Sequence, residues 1–230
     1  RQRQMCIRDS LLLLLVVVLF YWVLPYKARL ILIFSSSLIF YGFWNIIFIP
    51  VLLISVIVDW WVAQKILYHK KQIRFFLLLF SLSVNLGLLF YFKYLIFFAE
   101  SSIGLANLLG AELDPIAFNI ILPLGISFYT FQTISYTVDV YRGFIKPERN
   151  FVLFACYVTF FPQLVAGPIL RAAEVIPQFM KRPLFSFNFI FAGVRLILFG
   201  LFLKVVLADN ISVLVDSGFE INPEYMSAID

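Results

Sequence analysis

Within residues 122–143, LPLGISFYTFQTISYTVDVYRG, five polar side chains recur at helical spacing: Gln132, Ser135, Tyr136, Asp139 and Arg142. At about 100° per residue they fall within an arc of roughly 120°, with Phe131, Ile134, Val138 and Tyr141 opposite. Lipid cannot satisfy hydrogen bonds, so a membrane helix keeps a polar stripe only where the stripe faces protein or a wet cavity. The pattern therefore predicts a helix in which Gln132, Ser135, Tyr136 and Asp139 line a polar funnel. The plainer alternative is an Asp139–Arg142 pair at i, i+3 that anchors the helix end. A second string, FFPQLVAGPILR at 160–171, holds Gly167, which lets backbones approach closely, and Pro168, which fixes a break. There Gln163 and Arg171 either hydrogen-bond a substrate or satisfy carbonyls freed by the break.

The elements that position these residues must be membrane helices. The chain has 230 residues, 63% hydrophobic and 13% charged, with a mean hydropathy of +0.97. Soluble domains run at about 45–50% apolar and about 25% charged, so the reading is a polytopic membrane protein. Net charge is +5. In a membrane protein, loop Lys and Arg mostly set orientation and do not imply nucleic acid as a partner. Cys6 and Cys156 give no disulfide framework, and a single histidine, His69, rules out a multi-histidine metal site within these residues. His69 sits beside Lys70 and Lys71 in a basic loop, where it reads as a solvated side chain. Residues 1–10, RQRQMCIRDS, are polar and basic before an abrupt leucine run, and read as a non-native scar outside the fold.

A spanning helix needs about 20 mostly apolar residues. Candidate segments are 11–24, 29–48, 50–68, 75–98, 121–141, 151–166 and 187–208, with Pro50 dividing the second from the third. The fold class is all-α, a polytopic helix bundle with about six to seven membrane segments. Residues 64–74 hold Lys65, Lys70, Lys71 and Arg74 without an acid, whereas 99–119 hold Glu100, Glu112 and Asp114 without a base. The helix between them should run from cytoplasm to exterior, which leaves Lys27, Arg29 and the basic stretch 139–150 inside. The stretch 171–182 is basic as well, so 151–170, broken by Pro162, Gly167 and Pro168, reads as a segment that dips in and returns. Asp59 beside Trp60 and Trp61 reads as an interfacial belt, and Lys93 between Tyr91 and Tyr94 as a snorkelling cation. Gly193 and Gly200, seven apart, mark a face for close helix packing near Arg195 and Lys204.

Residues 122–143, 160–171 and GLFLKVVLADN at 200–210 resemble the membrane-bound O-acyltransferase family, in its alginate O-acetyltransferase-like branch; LGLLFYFKY at 86–94 fits too. The resemblance covers about 11–216. It implies the N-terminal part of a many-helix bundle with a funnel that thins the barrier between the two faces. It also implies transfer of a small acyl group, acetyl in this branch, from a thioester or acyl carrier on the cytoplasmic side. The acceptor would be a hydroxyl of an exported polysaccharide such as alginate, in a bacterial inner membrane, with periplasmic acetylation proteins as partners. No bound cofactor or metal is implied. Arg171 would then suit an anionic donor at the cytoplasmic mouth. The family's essential histidine lies in a Trp- and Arg-rich stretch beyond the region matched here. No catalytic residue is therefore assigned, and residues 11–230 alone are expected to be inactive. On polarity alone, a transporter or flippase with a polar-lined path is the competing class.

The charge pattern makes a prediction about topology. With single cysteines introduced at Ser101 and Gln72, a membrane-impermeant maleimide added to intact cells should label position 101 and not position 72. Labelling at 72 alone would reverse the topology.

Overall fold

The computed structural model describes residues 2–110, 120–164, 167–181 and 185–220. Glu112, Asp114 and Arg182 of the charge pattern lie outside these residues, as do the side chains of residues 1–8. The chain divides into two compact units, residues 1–182 and 183–230. All regular structure among the described residues is helical.

In the first unit, α1 (Gln2–Val23) and α2 (Tyr26–Asn45) are followed by a single 3-10 turn and α3 (Ile49–Ile66). Asn45 makes that break: its backbone is extended and its side chain accepts a hydrogen bond from Ile47 N at 3.0 Å. Pro50 then sits in the first turn of α3, where its missing N–H costs nothing. α4 (Lys71–Leu89) passes through one π-helical turn, Phe90–Tyr94, into α5 (Leu95–Leu108). The helix thus runs ten residues past the expected end of its segment. α6 (Ile126–Arg142) begins later than the apolar pattern suggests, because Pro123 precedes it and Gly125 enters it with φ +68°. Gly143, φ +79°, closes α6, with Phe144 N donating to the Asp139 carbonyl at 2.9 Å.

Three runs among the described residues are long and apolar enough to cross a membrane: Tyr26–Ile66, Lys71–Leu108 and Phe187–Val213. Asp9–Val23 and Phe151–Leu164 are shorter apolar helices. The last of these is broken. α7 (Phe151–Thr159) starts under an Asn150 cap, stops at Phe160, and is followed by one short turn, α8 (Phe161–Leu164). At 1.5 Å per residue, α7 is only about 14 Å long, less than half of a hydrocarbon core of about 30 Å. It is buried along Leu153–Thr159 against α2, α3, α6 and α9 (Ala172–Met180). The backbone freed by the break is met inside the protein: Phe161 N donates to Ser37 Oγ at 3.2 Å, and Ser37 donates to the Ile33 carbonyl at 2.8 Å.

α3, α4 and α6 pack mutually and form the centre of the unit. Their interface carries Leu52, Val56, Val62, Tyr129 and Val140. It also carries a polar cluster. Asp59 on α3 is 0% exposed; its carboxylate accepts from the Ser81 hydroxyl and from Asn85 Nδ2, the latter at 2.8 Å. Asn85 Oδ1 accepts from Ser55 Oγ at 2.5 Å and from Thr133 Oγ1 at 3.3 Å. Asp59 is therefore not part of an interfacial belt, which corrects the reading from its neighbours. Trp60 is also turned inward: its indole N–H donates to the Glu148 carbonyl at 2.9 Å and its ring stands edge-on to Phe151. Of the three, Trp61 faces outward, with Lys65 over its ring.

One end of the bundle is tied by basic and amide groups. Arg74 Nη2 donates to the Tyr141 carbonyl at 2.5 Å with its guanidinium over the Tyr141 ring, and Gln64 Nε2 donates to the Glu148 carbonyl at 2.6 Å. The basic stretches 64–74 and 139–150 thus share one end.

The second unit holds α10 (Phe187–Phe202), a π-helical stretch, Leu203–Ala208, and α11 (Asp209–Glu220). α10 is apolar apart from Asn188 and Arg195. Lys204 pairs with Asp209 across the π-helical stretch. A Cβ added at Gly193 or Gly200 would meet nothing within 4 Å among the described residues.

Candidate functional site

α6 buries one face and exposes another, and the buried face is not centred on the polar stripe. Ile126, Tyr129, Thr130, Gln132, Thr133, Tyr136, Thr137 and Val140 are buried. On a helical wheel this arc is centred about 100° round from the arc of Gln132, Ser135, Tyr136, Asp139 and Arg142. The two arcs overlap at Gln132 and Tyr136. Ser135 and Asp139 are half-buried, and Arg142 and Phe131 are exposed. Asp139 and Arg142 form no ion pair. Such a pair, open to solvent, would gain little against the entropy of fixing both side chains.

Tyr136 is fully buried, packs on Phe154 with centroids 4.5 Å apart, and accepts a hydrogen bond from Glu148 N at 2.9 Å. Its hydroxyl thereby holds the segment that leads into α7. Gln132 reaches the end of α7: its Nε2 donates to the Tyr157 carbonyl at 2.8 Å, and its Oε1 accepts from Gln163 Nε2 at 3.3 Å. Gln163 also donates to the Pro168 carbonyl at 3.1 Å, while the Tyr157 hydroxyl donates to the Leu170 carbonyl at 2.9 Å. So the structure brings Gln132 and Gln163, 31 residues apart, into one junction. It does not bring Arg171 there. Arg171 is exposed at the start of α9, where its carbonyl accepts from Glu174 N and Val175 N.

Two glycines make the junction possible. A Cβ on Gly125 would fall on the Leu164 carbonyl oxygen, so only glycine lets the start of α6 approach the end of α8. A Cβ on Gly167 would lie 2.7–2.8 Å from atoms of Gln163. Beside the junction is a cavity of about 320 Å³, walled by Phe160, Pro162, Gln163, Pro168, Leu170 and Phe179. Gln163 and Gln178 are the polar side chains of this otherwise apolar wall, and Gln163 Oε1 is itself buried with no hydrogen-bond partner. An unmet buried acceptor of this kind costs about 1–3 kcal/mol. Gln132 and Gln163 stand out in the amino-acid sequence, whereas Tyr157 lies in an apolar run and does not. His69 is exposed, with Nδ1 2.8 Å from the Lys65 carbonyl. Among the described residues, no group of three His, Cys, Asp or Glu side chains is placed to hold a metal.

An all-α bundle with long apolar helices and an internally bonded polar face defines a membrane-embedded protein. The chain is 34% identical over 208 residues to the probable alginate O-acetylase AlgI of Pseudomonas putida, a match covering 88% of this chain and 42% of that protein. It is 35% identical over 215 residues to the peptidoglycan O-acetyltransferase of Helicobacter pylori, covering 80% of this chain and 39% of that protein. The probable alginate O-acetylase AlgI of Azotobacter vinelandii is 32% identical over 206 residues, covering 88% and 40%. No family model and no solved structure matches the chain. The chain belongs to the membrane-bound O-acyltransferase family, in its alginate O-acetylase-like branch. It spans about two fifths of the length of the curated relatives it matches.

Gly125→Ala should lower the stability of the protein in detergent by about 2 kcal/mol or more, from left-handed strain together with the clash on Leu164. Gly87→Ala, inside α4 with nothing within 4 Å, should leave the melting temperature unchanged or slightly raised. Equal melting of Gly125→Ala and wild type would contradict the close approach of α6 and α8.

Proposed function

We propose that the parent protein is a multi-pass enzyme of a bacterial inner membrane that transfers an acetyl group to hydroxyls of an exported polysaccharide such as alginate. These 230 residues form its N-terminal part, in a bundle with about six to seven membrane segments in this portion. The observation that carries the reading is the similarity over most of this chain to two kinds of relative, named for O-acetylation of alginate and of peptidoglycan. The two names share acetyl transfer to a polymer outside the cytoplasm, and that shared chemistry favours a transferase over a transporter.

In this reading the chain supplies a wall of the acyl path. The acyl donor, a thioester or an acyl carrier, arrives from the cytoplasmic side. The acceptor polymer or a periplasmic acetylation protein meets the opposite side. Gln132, Gln163 and the half-buried Ser135 and Asp139 line the route, and Tyr136 holds the adjoining loop in place. Arg171 and Arg142 lie on the exposed surface, where a guanidinium can meet an anionic donor. The acceptor hydroxyl is a weak nucleophile at neutral pH, and a positioned base typically contributes about 10²–10⁴-fold. His69 is not placed for that work, so residues 11–230 alone are expected to transfer nothing.

Membranes carrying the full-length parent should form acetyl esters on polymer. Gln163→Leu and Asp139→Ala should lower the rate by about tenfold or more, and Val138→Ala by no more than about twofold. Residues 11–230 should give no ester above empty membranes. Equal rates for Asp139→Ala and Val138→Ala would remove the funnel wall. Turnover by residues 11–230 that is lost in His69→Ala would overturn the assignment of the base to another part of the protein.

A further inference from the structure

Where α4 runs into α5 the helix is wound wider for one turn, Phe90–Tyr94, and the acyl path makes no use of that turn. In an uninterrupted α-helix, residues eight apart lie about 80° round the axis from each other. The extra residue of the π-helical turn takes up that offset and brings Phe90 and Phe98 to one face, with ring centroids 5.4 Å apart. Beside them opens a groove of about 590 Å³, walled by Phe90, Tyr94, Phe97 and Phe98, with Lys93 as its charged side chain. An ammonium has three hydrogens to give. Lys93 spends one on the Ser127 hydroxyl at the start of α6, in a long bond of 3.4 Å, and the Tyr94 ring lies 5.5 Å away. Among the described residues no carboxylate pairs with it; the ion pair they form is Lys204–Asp209, in the other unit. Depth is a separate observation. α4 leaves the basic bundle end at Arg74, and by helical rise Lys93 lies about 28 Å further on. A hydrocarbon core is about 30 Å thick, so Lys93 stands at the headgroups of the opposite leaflet. The run Lys71–Leu108 is apolar for 38 residues, more than the core needs. It therefore tilts, which keeps Phe97 and Phe98 in the apolar margin beside Lys93.

We propose that this groove binds one anionic phospholipid of the leaflet facing away from the basic end 64–74. Its phosphate meets Lys93 Nζ and Ser127 Oγ, and an acyl chain runs along the rings of Phe90, Phe97 and Phe98. Charge complementarity selects the lipid class. An ammonium with hydrogens to spare attracts a phosphate, and a zwitterionic lipid would bring a second cation to a site that already has one. The wall selects a lipid over a sugar or a free anion. Three of its four rings are phenylalanine, which offers nothing for a hydroxyl to bond, and only Tyr94 carries a hydroxyl of its own. A free anion gains nothing from apolar rings, whereas an acyl chain does. A lysine that merely snorkels to the membrane margin shows no preference between lipids of the same chains, and that difference can be measured.

The test is lipid binding to the full chain in detergent, read by native mass spectrometry, with phosphatidylglycerol and phosphatidylcholine of the same dioleoyl chains. One phosphatidylglycerol should bind saturably, about tenfold more tightly than phosphatidylcholine. Lys93→Gln should bring the two lipids to equal affinity. Lys93→Arg should keep the preference, and so should Lys65→Gln, at the basic end. Phe97→Ala should weaken both lipids by about threefold or more, which tests the apolar wall independently of the charge. Equal affinity of the wild type for the two lipids would overturn the site, as would a preference that survives Lys93→Gln. Displacement of the bound lipid by inorganic phosphate or by a uronic-acid oligosaccharide would overturn it too, since the occupant is then a free anion or a polymer.

Discussion

A carboxylate inside an apolar bundle has to be answered by side chains of the same bundle, because hydrocarbon supplies no hydrogen bonds. Asp59 imposes that condition on three helices at once. Ser81 and Asn85 must face it from α4, and Thr133 and Thr137 must turn toward the same place from α6. The crossing and rotation of α3, α4 and α6 follow from these partners more than from apolar packing, since lipid tails are as apolar as the side chains they would replace. The hydroxyls are short, which lets the helices approach; the amide of Asn85 bridges the remaining gap and bonds on both of its ends.

The rotation of α6 has consequences along its whole length. With Thr133 and Thr137 turned to the carboxylate, Tyr136 lies against Phe154 and Gln132 points at the end of α7. The polar stripe is therefore split. Its inner half fixes neighbouring segments, and its outer half, Ser135 and Asp139, stays at the margin of the packed face. The break in α7 becomes tolerable for the same reason: Ser37, Gln132, Tyr157 and Gln163 supply the bonds that a continuous helix would have made for itself. The cavity beside Gln163 is the space left by that break. The junction of Gln132 and Gln163 is thus positioned by an electrostatic requirement at another place in the bundle.

Most of the helices are legible in the amino-acid sequence, because apolar length and Pro50 act locally; the start of α6, delayed by Pro123 and Gly125, and the far end of α5 are not. Gln132 and Gln163 stand out as well, since amides are rare in apolar runs. What the sequence does not reveal is partnership across distance. Asp59 sits between Val58 and two tryptophans, and that neighbourhood suggests a membrane surface; its partners Ser81 and Asn85 lie 22 and 26 residues away. Thr130, Thr133 and Thr137 pass unnoticed because threonine is tolerated on either face of a membrane helix, so the stripe of more polar side chains draws the eye to a centre about 100° away. The Asp139–Arg142 spacing suits a pair, but spacing alone does not make a pair form when Arg142 stays exposed.

The central claim is that the Asp59–Asn85 interaction organises the bundle, and a double-mutant cycle on stability in detergent tests it most directly. Asp59→Leu and Asn85→Leu singly should each be strongly destabilising, because each leaves buried polar partners unmet. The double variant should recover part of the summed loss, with a coupling of about 1 kcal/mol or more. Additive effects, or single variants that melt like the wild type, would contradict the account.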